Sequence, residues 1–397
     1  MKYKGFSLLV SLLLMLTRSS SAQQTSEYNS AIPDKSSIHI VLAAPLYLDS
    51  AMKVLPYGPV KSFPKFLIPG LEFVQGAEIA LDSFSFPQTN IELTIIDTRM
   101  PKSKLDSVLH ALALKKIDGI LAPVKDPELS QLAAFALEQK IPCWSMVFPN
   151  DAGITNNPFF AVLNPTLKTH CEAIFSYLLQ TKTNQEEIYL VHPTGTQEDR
   201  VEGYFKSISE TDHQQLLEYK RITLDSNYNS FLSTLDSNKS NTIILGTLDE
   251  EYVSGFIKFM APSRKQYDIK VFGMPNWENF SVFSKKSKLF VRDFPVIFTN
   301  SYFNNRADST SLWLQDVYLT KYKGKPSEFA YKGMEAILQF AEYLLKGKST
   351  VGPSTYSFYS KPNLVPVKKN INAGVDYLEN KHLFFIRRLN GLSSLAW

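Results

Sequence analysis

Leu71-Glu-Phe-Val-Gln-Gly-Ala-Glu-Ile-Ala-Leu-Asp-Ser-Phe84, followed by Ile91-Glu-Leu-Thr-Ile-Ile96, is one unit of a pattern that runs to Phe148. In the first segment Phe73, Val74, Ala77, Ala80, Leu81 and Phe84 recur at the helical period and leave one apolar stripe. The second segment is a short apolar strand. The unit then repeats. Leu105, Val108, Leu109, Leu112 and Ala113 mark a helix that Ser103 could cap, and Gly119-Ile-Leu-Ala122 is a buried strand. Leu129, Leu132, Ala133, Ala136 and Leu137 give a third helix, with Asp126 as expected N-cap and Pro127 in the first turn. Ile141 to Phe148 returns to strand. Apolar strands separated by helices of this length imply right-handed crossovers onto a parallel sheet, so the fold class is α/β.

A second series of the same kind runs from about 164 to 295. Asn164-Pro165 is expected to open a helix with Leu167, Cys171, Ile174, Phe175 and Leu178 inward. Strands follow at Ile188–Val191, Thr242–Gly246 and Ile269–Phe272, with a Val201, Tyr204, Phe205, Ile208 helix and an Asp249-capped helix between them. After Phe294 the pattern changes to two helices, about 309–323 and 327–346, and 375–390 reads as a β-hairpin around Glu379-Asn380. No low-complexity linker separates the two α/β units, which suggests several crossing segments in place of one tether.

The first 22 residues have the three parts of an export signal: Lys2 and Lys4, an apolar run from Phe6 to Leu16, and Ser20-Ser-Ala22 for cleavage. That run of about 11 residues is shorter than the roughly 20 that span a bilayer. Residues 23–37 are expected to be a disordered lead-in, and the mature chain is expected to be secreted or periplasmic and not membrane-spanning. The net charge of +4 over 397 residues is thinly spread, so the balance does not call for nucleic acid. Cys143 and Cys171 are expected to be buried free thiols, although export would permit a bridge.

Motifs for catalysis are missing. The six histidines (39, 110, 170, 192, 213 and 382) have no metal-ligand spacing, and no Gly-x-Ser-x-Gly elbow or Walker sequence occurs. No Gly-x-Gly-x-x-Gly follows the strand Ile38 to Ala43, so no dinucleotide cofactor is expected. The expectation is a binding protein, not an enzyme, with no cofactor. In parallel sheets ligands sit beyond the carboxyl ends of the strands. The loops there carry Pro45, Tyr47, Lys125, Asp126, Phe148, Asn150, Asp249 and Trp277; Tyr204 and Tyr302 complete the candidate ligand-binding set.

Together these features resemble the type I periplasmic binding proteins, the branched-chain amino-acid-binding group of ABC transporter solute receptors. The likeness is carried by Gly70 to Asp82 with Gly76 inside it, Gly119-Ile-Leu-Ala-Pro-Val124, Ile244-Leu-Gly246, Phe272-Gly-Met-Pro275 and Pro326 to Glu335. It implies two Rossmann-like lobes joined by three crossings, with the ligand in a hinge cleft. Lobe 1 would hold 38–163 and 296–350, and lobe 2 would hold 164–295 and 351–397. It also implies a small-molecule ligand, an ABC permease as partner, and a monomer or dimer. Amino-acid-binding members grip the ligand carboxylate with hydroxyls and free N–H groups where this chain has Lys125-Asp126-Pro127. Asp126 would put its own carboxylate there, Pro127 removes a donor, and Phe148-Pro-Asn150 replaces a small hydroxyl residue. A neutral, cationic or otherwise non-standard ligand is therefore expected. The alternative is an envelope regulator or scaffold that uses the same fold to bind protein or cell-wall material.

Overall fold

The computed structural model describes residues 37–54, 64–209, 217–225, 227–347, 354–370 and 374–396. The expected export signal and nearly all of the lead-in lie outside them. The chain begins with strand β1 (Ser37–Ala44), short helix α1 (Leu48–Val54), α2 (Ile68–Ser83), β2 (Asn90–Asp97), α3 (Lys102–Ala113) and β3 (Gly119–Ala122). Helix α4 (Glu128–Gln139), β4 (Cys143–Ser145) and β5 (Phe160–Val162) complete the first series. The second contains α5 (Leu167–Thr181), β6 (Glu186–His192), α6 (Thr196–Ser209), β7 (Lys220–Thr223), α7 (Tyr228–Leu232), β8 (Ser240–Leu245), α8 (Glu250–Met260), β9 (Asp268–Gly273) and β10 (Val296–Asn300). Then come α9 (Ser309–Tyr322), α10 (Glu328–Leu345), β11 (Leu364–Val367), β12 (Tyr377–Asn380), β13 (Phe384–Leu389) and β14 (Leu392–Leu395).

These strands form two seven-stranded sheets. The first runs β11-β12-β5-β4-β3-β1-β2 and the second β14-β13-β10-β9-β8-β6-β7. All pairings are parallel except β11 with β12, β13 with β10, and β14 with β13. Each sheet therefore repeats one order, with its first strand between its second and third. That reversal point opens a crevice at the carboxyl ends of the strands. The central strands are covered on both faces, as β1 shows with every residue after Ser37 buried, so they read as apolar runs and not as alternating ones.

The helices after β10 belong to lobe 1 because α10 packs against α2 at backbone distance. A Cβ on Gly76 would lie 1.9 Å from the Ala330 carbonyl oxygen, and one on Gly333 would lie 1.9 Å from that of Phe73. Only glycine lets the two helices approach so closely.

The topology moves the expected lobe boundaries. Val296–Asn300 pairs with β9 and extends the second sheet, while β11 and β12 return to the first. Lobe 1 thus takes in 301–381, and lobe 2 regains the chain from about 382. The expected hairpin around Glu379-Asn380 is instead the third crossing, because β12 and β13 sit in different sheets. The real hairpin is β13–β14, turned at Asn390-Gly391 with φ of 50° and 73°. Two successive left-handed residues are what a tight two-residue turn requires.

Three expected caps also differ. Helix α3 begins at Lys102, which places Ser103 inside its first turn. Helix α4 starts only at Glu128, with Pro127 in the cap position and no side-chain cap bond. Asn164 precedes the Thr166 cap of α5 and bonds elsewhere. Asp249 caps α8 as expected, accepting from the N–H groups of Glu251 and Tyr252. Both cysteines are buried free thiols, one in each lobe, and burial pushes the Cys143 thiol up to about 12.

Candidate functional site

Three crossings run side by side between the lobes and are laced by side chains. Asn164, on the first, donates from Nδ2 to the Val147 carbonyl (2.7 Å) and accepts from Ser301 Oγ on the second (3.1 Å). Glu379, at the third, is buried and accepts from the Thr166 N–H (2.7 Å) and Oγ1 (2.8 Å) of the first. Its other oxygen accepts from Lys381 Nζ at 2.9 Å, a pair in which the carboxylate is buried and the lysine partly exposed. Just beyond, His170 Nδ1 lies 2.7 Å from Thr299 Oγ1. Burial lowers its pKa to about 3, so this imidazole is neutral.

Beside the crossings lies a cleft of about 1110 Å³ with walls from both lobes. Lobe 1 contributes the β3–α4 loop at Lys125-Asp126, the segment Phe148 to Asp151, Glu328 and Lys332 on α10, and Val367 to Lys369 with Tyr377. Lobe 2 contributes the start of α5, Gln197, Arg200 and Tyr204 on α6, and Pro275, Asn276 and Glu278 after β9.

Five of the ten residues expected from sequence line this cleft: Lys125, Asp126, Phe148, Asn150 and Tyr204. Lys125 holds its ammonium 4.6 Å from the centre of the Phe148 ring. Asp126 accepts from Ser130 Oγ at 2.7 Å and remains exposed.

The other five lie elsewhere, each for a visible reason. The loop containing Pro45 and Tyr47 offers its N–H groups to the protein's own carboxylate. Asp97 accepts from the N–H groups of Leu46 (3.0 Å), Tyr47 (3.1 Å) and Leu48 (2.8 Å). The Tyr47 ring packs on Phe66, with Arg99 above it. Asp249 is taken up by its cap. Trp277 is fully buried, its indole N–H bonded to the Thr247 carbonyl at 3.0 Å and its ring stacked on Phe280 and Phe283. Tyr302 is buried against Tyr359, behind Lys332.

Residues that the sequence reading missed have discernible signals. Glu278 adjoins Trp277 in one 3-10 turn (Pro275–Asn279), which sends Trp277 inward and Asn276 and Glu278 toward the cleft. Burial, then repulsion from Glu328 across the cleft, pushes the Glu278 pKa up, and Asn300 Nδ2 donates to it at 3.1 Å. Lys368, Lys369 and Tyr377 lie on the segment that the resemblance places in lobe 2 and that the sheet pairing places in lobe 1.

The helix start where amino-acid-binding proteins are expected to hold a carboxylate is unlike a cradle here. Asp126 and Glu128 both bring acid to it, Pro127 has no N–H, and the Leu129 N–H is bonded to the Lys125 carbonyl. Glu128 is itself engaged by Arg99 at 2.9 Å.

Two mostly parallel sheets of repeated order, three crossings and a cleft between them define the type I periplasmic binding protein fold. Solved structures share it. One is a protein from Rhodospirillum rubrum assigned as a branched-chain amino acid ABC transporter, at 12% identity and a TM-score of 0.62 over 90% of this chain and 99% of that one. A branched-chain amino acid ABC transporter periplasmic ligand-binding protein from Burkholderia xenovorans LB400 follows at 13% and 0.55, over 89% and 91%. An ABC transporter substrate-binding protein from Desulfitobacterium hafniense gives 11% and 0.53, over 90% and 99%. At these identities the likeness is one of fold. No protein-family model matches the chain, and no curated protein matches it. Among the described residues no helix is long and apolar enough to cross a membrane, and no cluster of side chains is suited to hold a metal.

Proposed function

We propose that this chain is an exported solute-binding protein that captures a small ligand between two closing lobes and delivers it to an ABC permease. The observation that supports this reading is the cleft of about 1110 Å³ beside three laced crossings, lined by both lobes and open. A scaffold that had lost ligand binding would be free to fill this space with its own side chains. Bonds that tie the crossings to one another, as Asn164–Ser301 and Thr166–Glu379 do, leave the cleft edges free to approach. Export by the segment Met1 to Ala22 belongs to the same proposal, as does a ligand other than a standard free amino acid.

A thermal-shift screen over amino acids, amides, peptides, sugars and muropeptides tests it, with small-angle scattering on any hit to follow closure. A ligand at 100 times its Kd stabilises the native state by about 2.7 kcal/mol, which such a screen resolves. Leucine and free glutamate are expected to leave the melting temperature unchanged. Stabilisation by either at micromolar concentration would defeat the argument from the acidic, donor-poor start of α4.

A further inference from the structure

The cleft carries an imbalance of charge that Asp126 alone does not suggest. Six cations line it, Lys125, Lys168, Arg200, Lys332, Lys368 and Lys369, against four carboxylates, Asp126, Asp151, Glu278 and Glu328. Two of the cations are already neutralised: Lys332 pairs with Glu328, and Lys369 lies 2.9 Å from Asp151. Lys168 reaches Glu172 only at 3.8 Å, and Lys125 rests on the Phe148 ring. Arg200 and Lys368 meet no carboxylate among the described residues, and both are exposed.

Among the described residues, the cations with no carboxylate closer than 3.8 Å are divided between the walls, Lys125 and Lys368 on lobe 1 and Lys168 and Arg200 on lobe 2. Closure of the lobes onto an uncharged ligand would bring like charges together in a drying space, where repulsion strengthens as water leaves. Closure onto an anion would replace that repulsion with charge-assisted hydrogen bonds, and an arginine fork suits carboxylate or phosphate oxygens. The size of the space points the same way. Sites for drug-sized ligands occupy roughly 300–1,000 Å³, so this open cleft has room for more than one anionic group. Phe148 and Tyr204 line it from opposite lobes and offer an apolar surface between the charges.

We propose that the ligand is an organic anion bearing more than one negative charge, its acidic groups divided between Lys125 and Lys368 of lobe 1 and Arg200 and Lys168 of lobe 2, with its apolar part against Phe148 and Tyr204. This rests on the capture reading above and narrows its ligand class. It also revises the sequence expectation, which weighed Asp126 without the cations that only the fold brings around it.

Matched probes that differ in charge but little in shape separate the two readings. Calorimetry and thermal shift would compare triglutamate with triglutamine, glucarate with glucitol, and terephthalate with terephthalamide. At least one acidic member is expected to bind and its neutral partner to bind at least about tenfold more weakly, with affinity falling as salt rises. Arg200→Gln combined with Lys368→Gln should weaken the acidic probe at least about tenfold. Circular dichroism should show unchanged folding, since neither side chain has an ion-pair partner among the described residues and both are exposed. If the neutral members bind as well, or the double variant binds the acidic probe unchanged, the charge inference is overturned while capture stands. If no probe of either kind raises the melting temperature, the capture reading itself falls and takes this inference with it.

Discussion

Two aspartates occupy matching places in the two lobes. Asp126 follows β3 and Asp249 follows β8, and each stands before a helix at the carboxyl edge of a parallel sheet. Sequence treats them alike, as caps that could also be ligand contacts. The structure separates them. Asp249 is committed to two backbone N–H groups of α8, whereas Asp126 stands outside the start of α4 and faces the cleft. The difference comes from one neighbour. Pro127 takes the cap position and shifts the first helical residue to Glu128, beyond the reach that the Asp126 carboxylate needs. The same contrast holds for the aromatic residues in these loops. Trp277 of lobe 2 is core, while Phe148 of lobe 1 is cleft wall. Loops at matching places in the two sheets are turned to structure in one lobe and left open in the other.

The aromatic pair gives the most severe test. Trp277→Ala removes a fully buried ring that packs against Gly273, where an added Cβ would come within 2.2 Å of the indole. The cost is expected to be about 3–5 kcal/mol in denaturant unfolding. Phe148→Ala removes a half-buried ring and should cost no more than about 1 kcal/mol, while weakening any ligand that the cleft holds. Similar losses from the two variants would break the contrast between core and wall.

A second test separates a structural acid from the cleft acids within lobe 1. Helix α10 turns Glu328 and Lys332 to the cleft, while Glu335 is buried and accepts from the N–H groups of Tyr359 (2.7 Å) and Ser360 (3.0 Å). Burial raises its pKa from 4.5 to about 7, against the opposing pull of those hydrogen bonds. The native state therefore takes up this proton more readily than the unfolded chain does. The resulting stability is fully present below pH 4.5 and is lost as the pH rises through about 7. A shift of that size corresponds to at most about 3 kcal/mol. The melting temperature of the wild type should fall by several degrees over this window. Glu335→Gln keeps an acceptor for the two N–H groups and should flatten that part of the profile. An unchanged slope in the variant would assign the pH dependence to other groups.

How much of this was legible in the sequence follows the same division. Periodicity showed the parallel sheets and the helices, because central strands covered on both faces and helices covered on one leave patterns that need no knowledge of their partners. The exchange of strands between lobes left no such mark. Val296–Asn300 and Tyr377–Asn380 are only five and four residues long, and which sheet they join depends on where the three crossings lie in space. Asn390-Gly391 is a legible turn pair, but Glu379-Asn380 offers a competing turn signal earlier in the chain. In the candidate site, the loops were legible as loops. Which residue of a loop faces outward was not, since Trp277 and Glu278 are neighbours in one turn. Nor could sequence foresee that Asp97 would satisfy the N–H groups of the Pro45–Tyr47 loop from a neighbouring strand.

The smallest expected effect returns to the aspartates themselves. Asp249→Ala leaves two N–H groups of α8 without their cap and should cost about 1–2 kcal/mol. Asp126→Ala loses one exposed hydrogen bond to Ser130 and should stay within about 0.5 kcal/mol of the wild type. Equal losses would mean that Asp126 supports its helix after all. Binding should order the pair the other way. Asp126 is a carboxylate beside Lys125, so its removal relieves repulsion toward an acidic ligand while leaving the lysine in place. Asp126→Asn should therefore tighten an acidic probe a few-fold, and Asp249→Asn should leave its Kd unchanged, both read by calorimetry at low salt. Weaker binding in Asp126→Asn would make this carboxylate a contact that the ligand needs, and would return the cleft to a ligand with a cationic or hydrogen-bond-donating end.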